Sequence, residues 1–189
     1  MFLAKMFPIE LYLIDFSDLA LAAARENARR LEVENVKLVR GDILHMPFPD
    51  NEFDVVYSGG VNEHFEGAWR RQSFAEMLRI CKPEGVVLVH VPNALCIPYR
   101  LGKFILELTG LWKWGLEIPY SRTEIAQLSR ILGGTWRIEA SGDSSFLGSF
   151  MWLPPLIFLR PNKLGAWLLA NLRLFDCLTL RIIYQNGYL

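Results

Sequence analysis

Neither sign of charge dominates this chain. Twenty basic residues face twenty acidic ones, and no dense Lys/Arg cluster stands out. The electrostatic footprint of a nucleic-acid binder is therefore missing. Cysteine is scarce, with only Cys81, Cys96 and Cys177 in 189 residues. They are odd in number and far apart, which fits neither a disulfide framework nor a metal-ligand spacing. No metal is expected, and a reducing cytosol is the default compartment. No apolar run reads as a membrane span. Phe146 to Leu159 is short and broken by Pro154-Pro155, and residues 164 to 184 are interrupted by Asn171, Arg173, Asp176 and Arg181. The opening MFLAKMFPIE lacks the apolar core and small-residue cleavage site of a signal peptide. There is no internal repeat and no low-complexity tract.

What is present centres on Val36 to Phe65, VKLVRGDILHMPFPDNEFDVVYSGGVNEHF. Two Val-rich, strand-length runs, Val36 to Val39 and Phe53 to Tyr57, are bounded by Gly, Pro, Asn and Asp. The first ends at Arg40-Gly41-Asp42 and the second at Ser58-Gly59-Gly60. In an open parallel sheet, ligands bind beyond the carboxyl ends of the strands. One run ends in a carboxylate and the other in small residues that admit a ligand to the backbone.

Upstream, Ile9 to Ile14 reads as a strand ending at Asp15-Phe16-Ser17. Ser17 or Asp18 can cap the helix that follows. Leu21, Ala24, Ala28 and Leu31 give that helix one apolar stripe, and Glu26 stands four residues before Arg30. The unit reads as βαβ with a right-handed crossover. Downstream, Trp69 to Cys81 reads as a helix with Phe74, Met77, Leu78 and Cys81 on one side, stopped by Lys82-Pro83-Glu84-Gly85. Val86 to Val91 is a further buried strand. The alternation predicts a doubly wound, mostly parallel α/β sheet.

Residues 94 to 120 break the rhythm, with a helix expected around Tyr99 to Leu108. Placed after a strand's carboxyl end, they suit a lid whose aromatic side chains cover an apolar substrate. Ordinary core packing accounts for such residues too. Ser121-Arg122-Thr123-Glu124 is a capping box, with Tyr120 and Ile125 spaced as a hydrophobic staple. Its helix carries Ile125, Leu128 and Leu132 and ends at Gly133-Gly134. Trp136 to Ala140 alternates like a half-exposed strand, an apolar insertion covers about 146–178, and Leu180 to Tyr184 is a last strand.

Three stretches in order, LYLIDFSDLALAAARENA, VKLVRGDILHMPFPDNEFDVVYSGGVNEHF and MLRICKPEGVVLVHVPN, resemble class I S-adenosylmethionine-dependent methyltransferases of the type 11 group. The resemblance implies one Rossmann-like domain over 1–189, S-adenosylmethionine as cofactor, and methyl transfer to a small-molecule acceptor. By position it implies that Asp15, followed by Phe16, accepts the ribose hydroxyls. Asp42, after Gly41, takes the adenine amino group, and Ile43 flanks the base. Ser58, Gly59 and Gly60 lie along the methionine part. His64, after Glu63, stands where an acidic-His pair borders the substrate and serves as a proton acceptor. Tyr99, Trp112, Trp114 and Tyr120 are substrate-side candidates. The same residues have plainer uses: Asp15 as a helix cap, Asp42 and the glycines as turns, and His64 as a helix-start packing residue. His45 and His90 read as structural.

The family's first strand and Gly-rich loop have no match before Ile9. Omitting that strand leaves its two neighbours about 9.6 Å apart, twice the spacing of about 4.8 Å between paired strands. The expectation is an N-terminally truncated or degenerate member with weakened cofactor binding. Two other readings stand beside it. One is a nicotinamide-binding oxidoreductase, since an acid at the second strand's end also suits a ribose. The other is a non-catalytic membrane or partner-docking module, with peripheral membrane contact through 146–178.

Overall fold

A computed structural model describes residues 1–131, 136–142 and 177–184, which fall in two compact units, Met1–Pro49 and Asp50–Leu189. The first unit contains α1 (Phe2–Met6), β1 (Leu11–Asp15), α2 (Asp18–Arg30) and β2 (Val36–Arg40). Ser17 is the cap of α2, its side chain accepting from the Ala20 N–H at 3.3 Å. The stripe read from the sequence is the covered one: Ala28 is buried, and Leu21, Ala24 and Leu31 are half-buried. Glu26 pairs with Arg30 at 3.2 Å and with Arg29 at 3.0 Å, both exposed contacts of a few tenths of a kcal/mol (~0.3–0.5). β1 and β2 pair in parallel, from Leu11 opposite Val36 to Asp15 opposite Arg40.

The second unit begins with β3 (Phe53–Gly59), a short 3-10 turn (Asn62–His64), α3 (Gly67–Ile80) and β4 (Cys81–Pro92). It continues with α4 (Ile97–Leu108), α5 (Arg122–Ile131), β5 (Trp136–Gly142) and β6 (Cys177–Tyr184). Its sheet has the order β3-β4-β6-β5, with β3 and β4 parallel and β6 antiparallel to both its neighbours. α3 packs on β3 and β4, and Phe74, Met77 and Leu78 are buried as their spacing predicts. Val87, Val89 and Val91 of β4 are fully buried, and Val86, Leu88 and His90 on its other face are half-buried.

Three local features differ from the sequence reading. Lys82 to Gly85 are part of β4 and not a separate stop; α3 ends at Ile80, and the strand absorbs Pro83 through a register shift between Phe53 and Val55. The described strands form two sheets, β1-β2 and β3-β4-β6-β5, rather than one. Residues 94–120 are tied down by backbone bonds from Ala94 N to Tyr120 O, Tyr120 N to Pro92 O and Ile118 N to Glu63 O, at 2.8–2.9 Å. The capping box is formed in both directions: Glu124 N–H donates to Ser121 Oγ at 3.2 Å, and Ser121 N–H to Glu124 Oε2 at 2.8 Å. Gly133-Gly134, Leu132 and nearly all of the apolar insertion lie outside the described residues. Among those described, no helix is long and apolar enough to cross a membrane.

Candidate functional site

In the first unit, parallel pairing carries Asp15 and Asp42 to neighbouring strand tips. Asp15 stands opposite Arg40, two residues before Asp42, and Gly41 N–H donates to Asp15 O at 3.1 Å. Each carboxylate uses one oxygen locally. Ser17 N–H donates to Asp15 Oδ1 at 2.8 Å, and Leu44 N–H donates to Asp42 Oδ1 at 2.9 Å. Both are side-chain turns of the kind Asp makes readily, and both leave the second oxygen available to a ligand. Asp15 is half-exposed and Asp42 exposed, so neither is sealed off. Phe16 is 77% exposed beside them, a large ring uncovered by its own unit's side chains. Ile43 is half-buried. Gly41 has a packing reason of its own: an added Cβ would stand 2.7 Å from Ile14 Cδ1 and 2.8 Å from Pro47 Cδ. His45 is exposed, its N–H closing the turn onto Asp42 O at 3.0 Å.

In the second unit, β3 delivers Ser58, Gly59 and Gly60 to the start of the Asn62–His64 turn. The Ser58 side chain does not border open space. It is buried, and its hydroxyl donates to Asn62 Oδ1 at 2.6 Å. Asn62 Nδ2 donates to Ser73 Oγ at 2.9 Å, and Ser73 Oγ to Arg70 O at 2.9 Å. This polar chain is satisfied internally and pins the turn to α3; only the backbone at Ser58 remains for a ligand. Gly60 has φ +75°, a left-handed conformation that residues with a Cβ rarely adopt. Space is not its constraint, because the nearest atom to an added Cβ would be Glu63 Oε1 at 3.9 Å.

Glu63 is the electrostatic anomaly of the site. It is 5% exposed, and Oε2 has no hydrogen-bond partner among the described residues. Burial raises its pKa and neighbouring Glu117 adds to the rise, while its own backbone, His64 and His90 oppose it. A carboxyl so placed favours its protonated form. His64 is half-buried and its Nδ1 contacts the Leu116 carbonyl. A carbonyl can only accept, so Nδ1 is the donor in this contact, and the second ring nitrogen, Nε2, is not engaged by it.

Arg70, which carries no motif, holds this corner together. It is 7% exposed. Nε donates to Phe65 O at 2.9 Å, one terminal nitrogen to Ile118 O at 2.7 Å and the other to Glu124 Oε1 at 2.7 Å. Its guanidinium lies 4.0 Å from the centre of the Tyr120 ring. Tyr120, read as a substrate-side residue, is instead wholly buried between Arg70 and Phe74, with its hydroxyl donating to Asn62 O at 3.2 Å. Tyr99 is buried too, its hydroxyl on Glu117 Oε1. Trp112 and Trp114 lie against one another, with centroids 4.9 Å apart, and Trp114 is half exposed. Sequence reasoning missed Arg70 and Glu117. The one signal for Arg70 was its spacing, four residues before buried Phe74 and on the same helix face.

Residues 1–89 match the methyltransferase domain family. The chain is 34% identical, over 145 residues, to a demethylmenaquinone methyltransferase of Geobacillus sp. (strain WCH70), a match covering 66% of this chain and 59% of that one. It is 31% identical over 111 residues to a demethylmenaquinone methyltransferase of Bacillus mycoides (strain KBAB4), covering 53% and 44%. The chain thus spans less than two thirds of the length of these relatives. Among solved structures, a SAM dependent methyltransferase from Aquifex aeolicus superposes with a TM-score of 0.57 at 15% identity, covering 97% of this chain and 74% of that one. At that identity the likeness speaks for the fold alone. None of these matches lends support to the nicotinamide or non-catalytic readings.

Proposed function

Because the chain carries a class I, Rossmann-like S-adenosylmethionine-dependent methyltransferase domain, we propose that it takes part in methyl transfer from S-adenosylmethionine to a small apolar acceptor. The cofactor supplies an activated methyl group on a sulfonium. Within the first unit, Asp15 and Phe16 serve the ribose, and Gly41, Asp42 and Ile43 the adenine. The observation that carries this reading is the pair of acids at neighbouring strand tips, each with one oxygen still to give. An apolar acceptor is suggested by the names of the relatives and by the exposed Trp114 beside Trp112.

The rest of the work falls to alignment and a proton. Positioning can supply roughly 7–11 kcal/mol of a barrier, against the 10²–10⁴-fold, on the order of 3–5 kcal/mol, of a general base. His64 Nε2 is the proposed proton acceptor, with the neighbouring Glu63 carboxyl able to hold a proton in turn. The turn that carries both is fixed by the Ser58–Asn62–Ser73 chain and by Arg70.

Calorimetric titration with S-adenosylmethionine tests the cofactor half without any acceptor. Each charge-assisted bond is worth about 1.5–3 kcal/mol, so Asp15→Ala and Asp42→Ala are each expected to weaken binding roughly 10- to 100-fold. Affinity unchanged from wild type in both variants would reduce the two acids to turn formers and remove the basis of the assignment.

A further inference from the structure

The outer face of α4 is apolar on the wrong side. At 100° per residue, Tyr99, Gly102 and Leu106 share one face, and all three are buried. Ile97, Leu101, Phe104 and Leu108 share the opposite face, and they are 48–75% exposed. The apolar surface continues past the helix through Leu111, Trp114 and Leu116, each about half exposed. An exposed apolar helix face of this kind marks a surface that another body covers.

Charge and size identify that body. The chain as a whole is neutral, but residues 97–116 carry Arg100, Lys103 and Lys113 against one acid, Glu107, which is paired with Lys103. Arg100 and Lys113 are exposed, and Trp112 and Trp114 follow the helix. A cationic helix with an outward stripe of Leu, Ile and Phe and flanking Trp is the pattern of a helix lying in a lipid interface. A second copy of this chain suits the face less well. Twelve residues make a helix about 18 Å long and about 10 Å wide, so helix against helix covers a few hundred Å². Stable interfaces bury about 800 Å² on each partner.

We propose that α4 and the turn after it dock on an anionic lipid surface, with Ile97, Leu101, Phe104 and Leu108 among the acyl chains and Arg100 and Lys113 at the headgroups. The proposal rests on this face alone and is independent of the cofactor reading.

Co-sedimentation of the full chain with phosphatidylcholine vesicles, with and without phosphatidylglycerol, tests it. Binding is expected to favour the anionic vesicles and to fall with added salt. Leu101→Glu with Phe104→Glu, which charges the stripe at two exposed positions, should weaken binding by roughly tenfold or more. Arg100→Ala and Lys113→Ala should each weaken binding to the anionic vesicles by about fivefold and leave the phosphatidylcholine result unchanged. They alter only exposed side chains, so they carry the test should circular dichroism show the double variant unfolded. Vesicle binding untouched by these changes, or no binding to either vesicle, would overturn the proposal. So would a dimer in light scattering that Phe104→Glu dissolves, which would assign the face to a second copy.

Discussion

Replacing Arg70 with alanine removes one side chain that four groups share. Its guanidinium serves Phe65 O in the Asn62–His64 corner, Ile118 O in the 111–120 segment, Glu124 on α5 and the Tyr120 ring. Bonds to a charged group are each worth about 1.5–3 kcal/mol, but the carbonyls of a truncated site recover water and such values do not add. The better measure is the cost of breaking a buried ion pair from one side, about 3–5 kcal/mol. Arg70 meets that description with its side chain 9% exposed; Glu124, at 37%, can resolvate. Urea unfolding of Arg70→Ala is therefore expected near the low end, about 3 kcal/mol less stable. Against a total stability of about 5–15 kcal/mol that is a large share. Arg70→Lys keeps the charge but not the planar fork and should fall between. Glu124→Gln keeps the capping box but leaves the buried Arg70 guanidinium without its counter-charge and should cost about 3 kcal/mol as well. A loss below about 1 kcal/mol in Arg70→Ala would refute the reasoning, since that is the scale of a solvated surface pair.

Glu63 gives a prediction with a definite sign. Its folded pKa is raised, so the folded state holds the proton more tightly, and stability falls as pH rises from the ordinary carboxyl value of 4.5 through the raised one. Glu63→Gln should therefore gain relative to wild type at pH about 8 and lose that gain near pH 4 in parallel melts; a pH-independent difference would contradict it. Gly60→Ala should cost about 1–2 kcal/mol from backbone strain alone, and Gly60→Asn less, because Asn tolerates the left-handed region; equal losses in chemical unfolding would mean that side-chain space, not φ, is the constraint.

Local chemistry was legible in the sequence wherever neighbours along the chain decide it. The stripe of α2, its Ser17 cap, the Ser121–Glu124 box and the burial of Phe74, Met77 and Leu78 all follow from spacing and side-chain type. The Asp15 and Asp42 tips follow as well, because a βαβ unit places consecutive parallel strands side by side. What stayed hidden depends on residues far apart in the chain. Arg70 is an ordinary helix charge until Ile118 and Glu124 arrive, and Tyr120 reads as a lid aromatic until Asn62 O accepts its hydroxyl. Ser58 likewise reads as a small residue beside a ligand, while its hydroxyl belongs to Asn62. Gly41 and Gly60 look alike on paper, yet one answers to Ile14 and Pro47 and the other to φ.

The place of β6 sets the order in which the second unit can be assembled. β4 pairs Val86 with Ile183 and β5 pairs Arg137 with that same residue, so the strand from 177 to 184 is the seam between two strands made long before it. Until it emerges from the ribosome, both β4 and β5 present an unfilled edge to whatever strand lies nearby. Closing so long a loop is slow. From the completion of β5 at Gly142 until β6 is complete at Tyr184, the growing chain therefore carries its sheet unzipped at the middle.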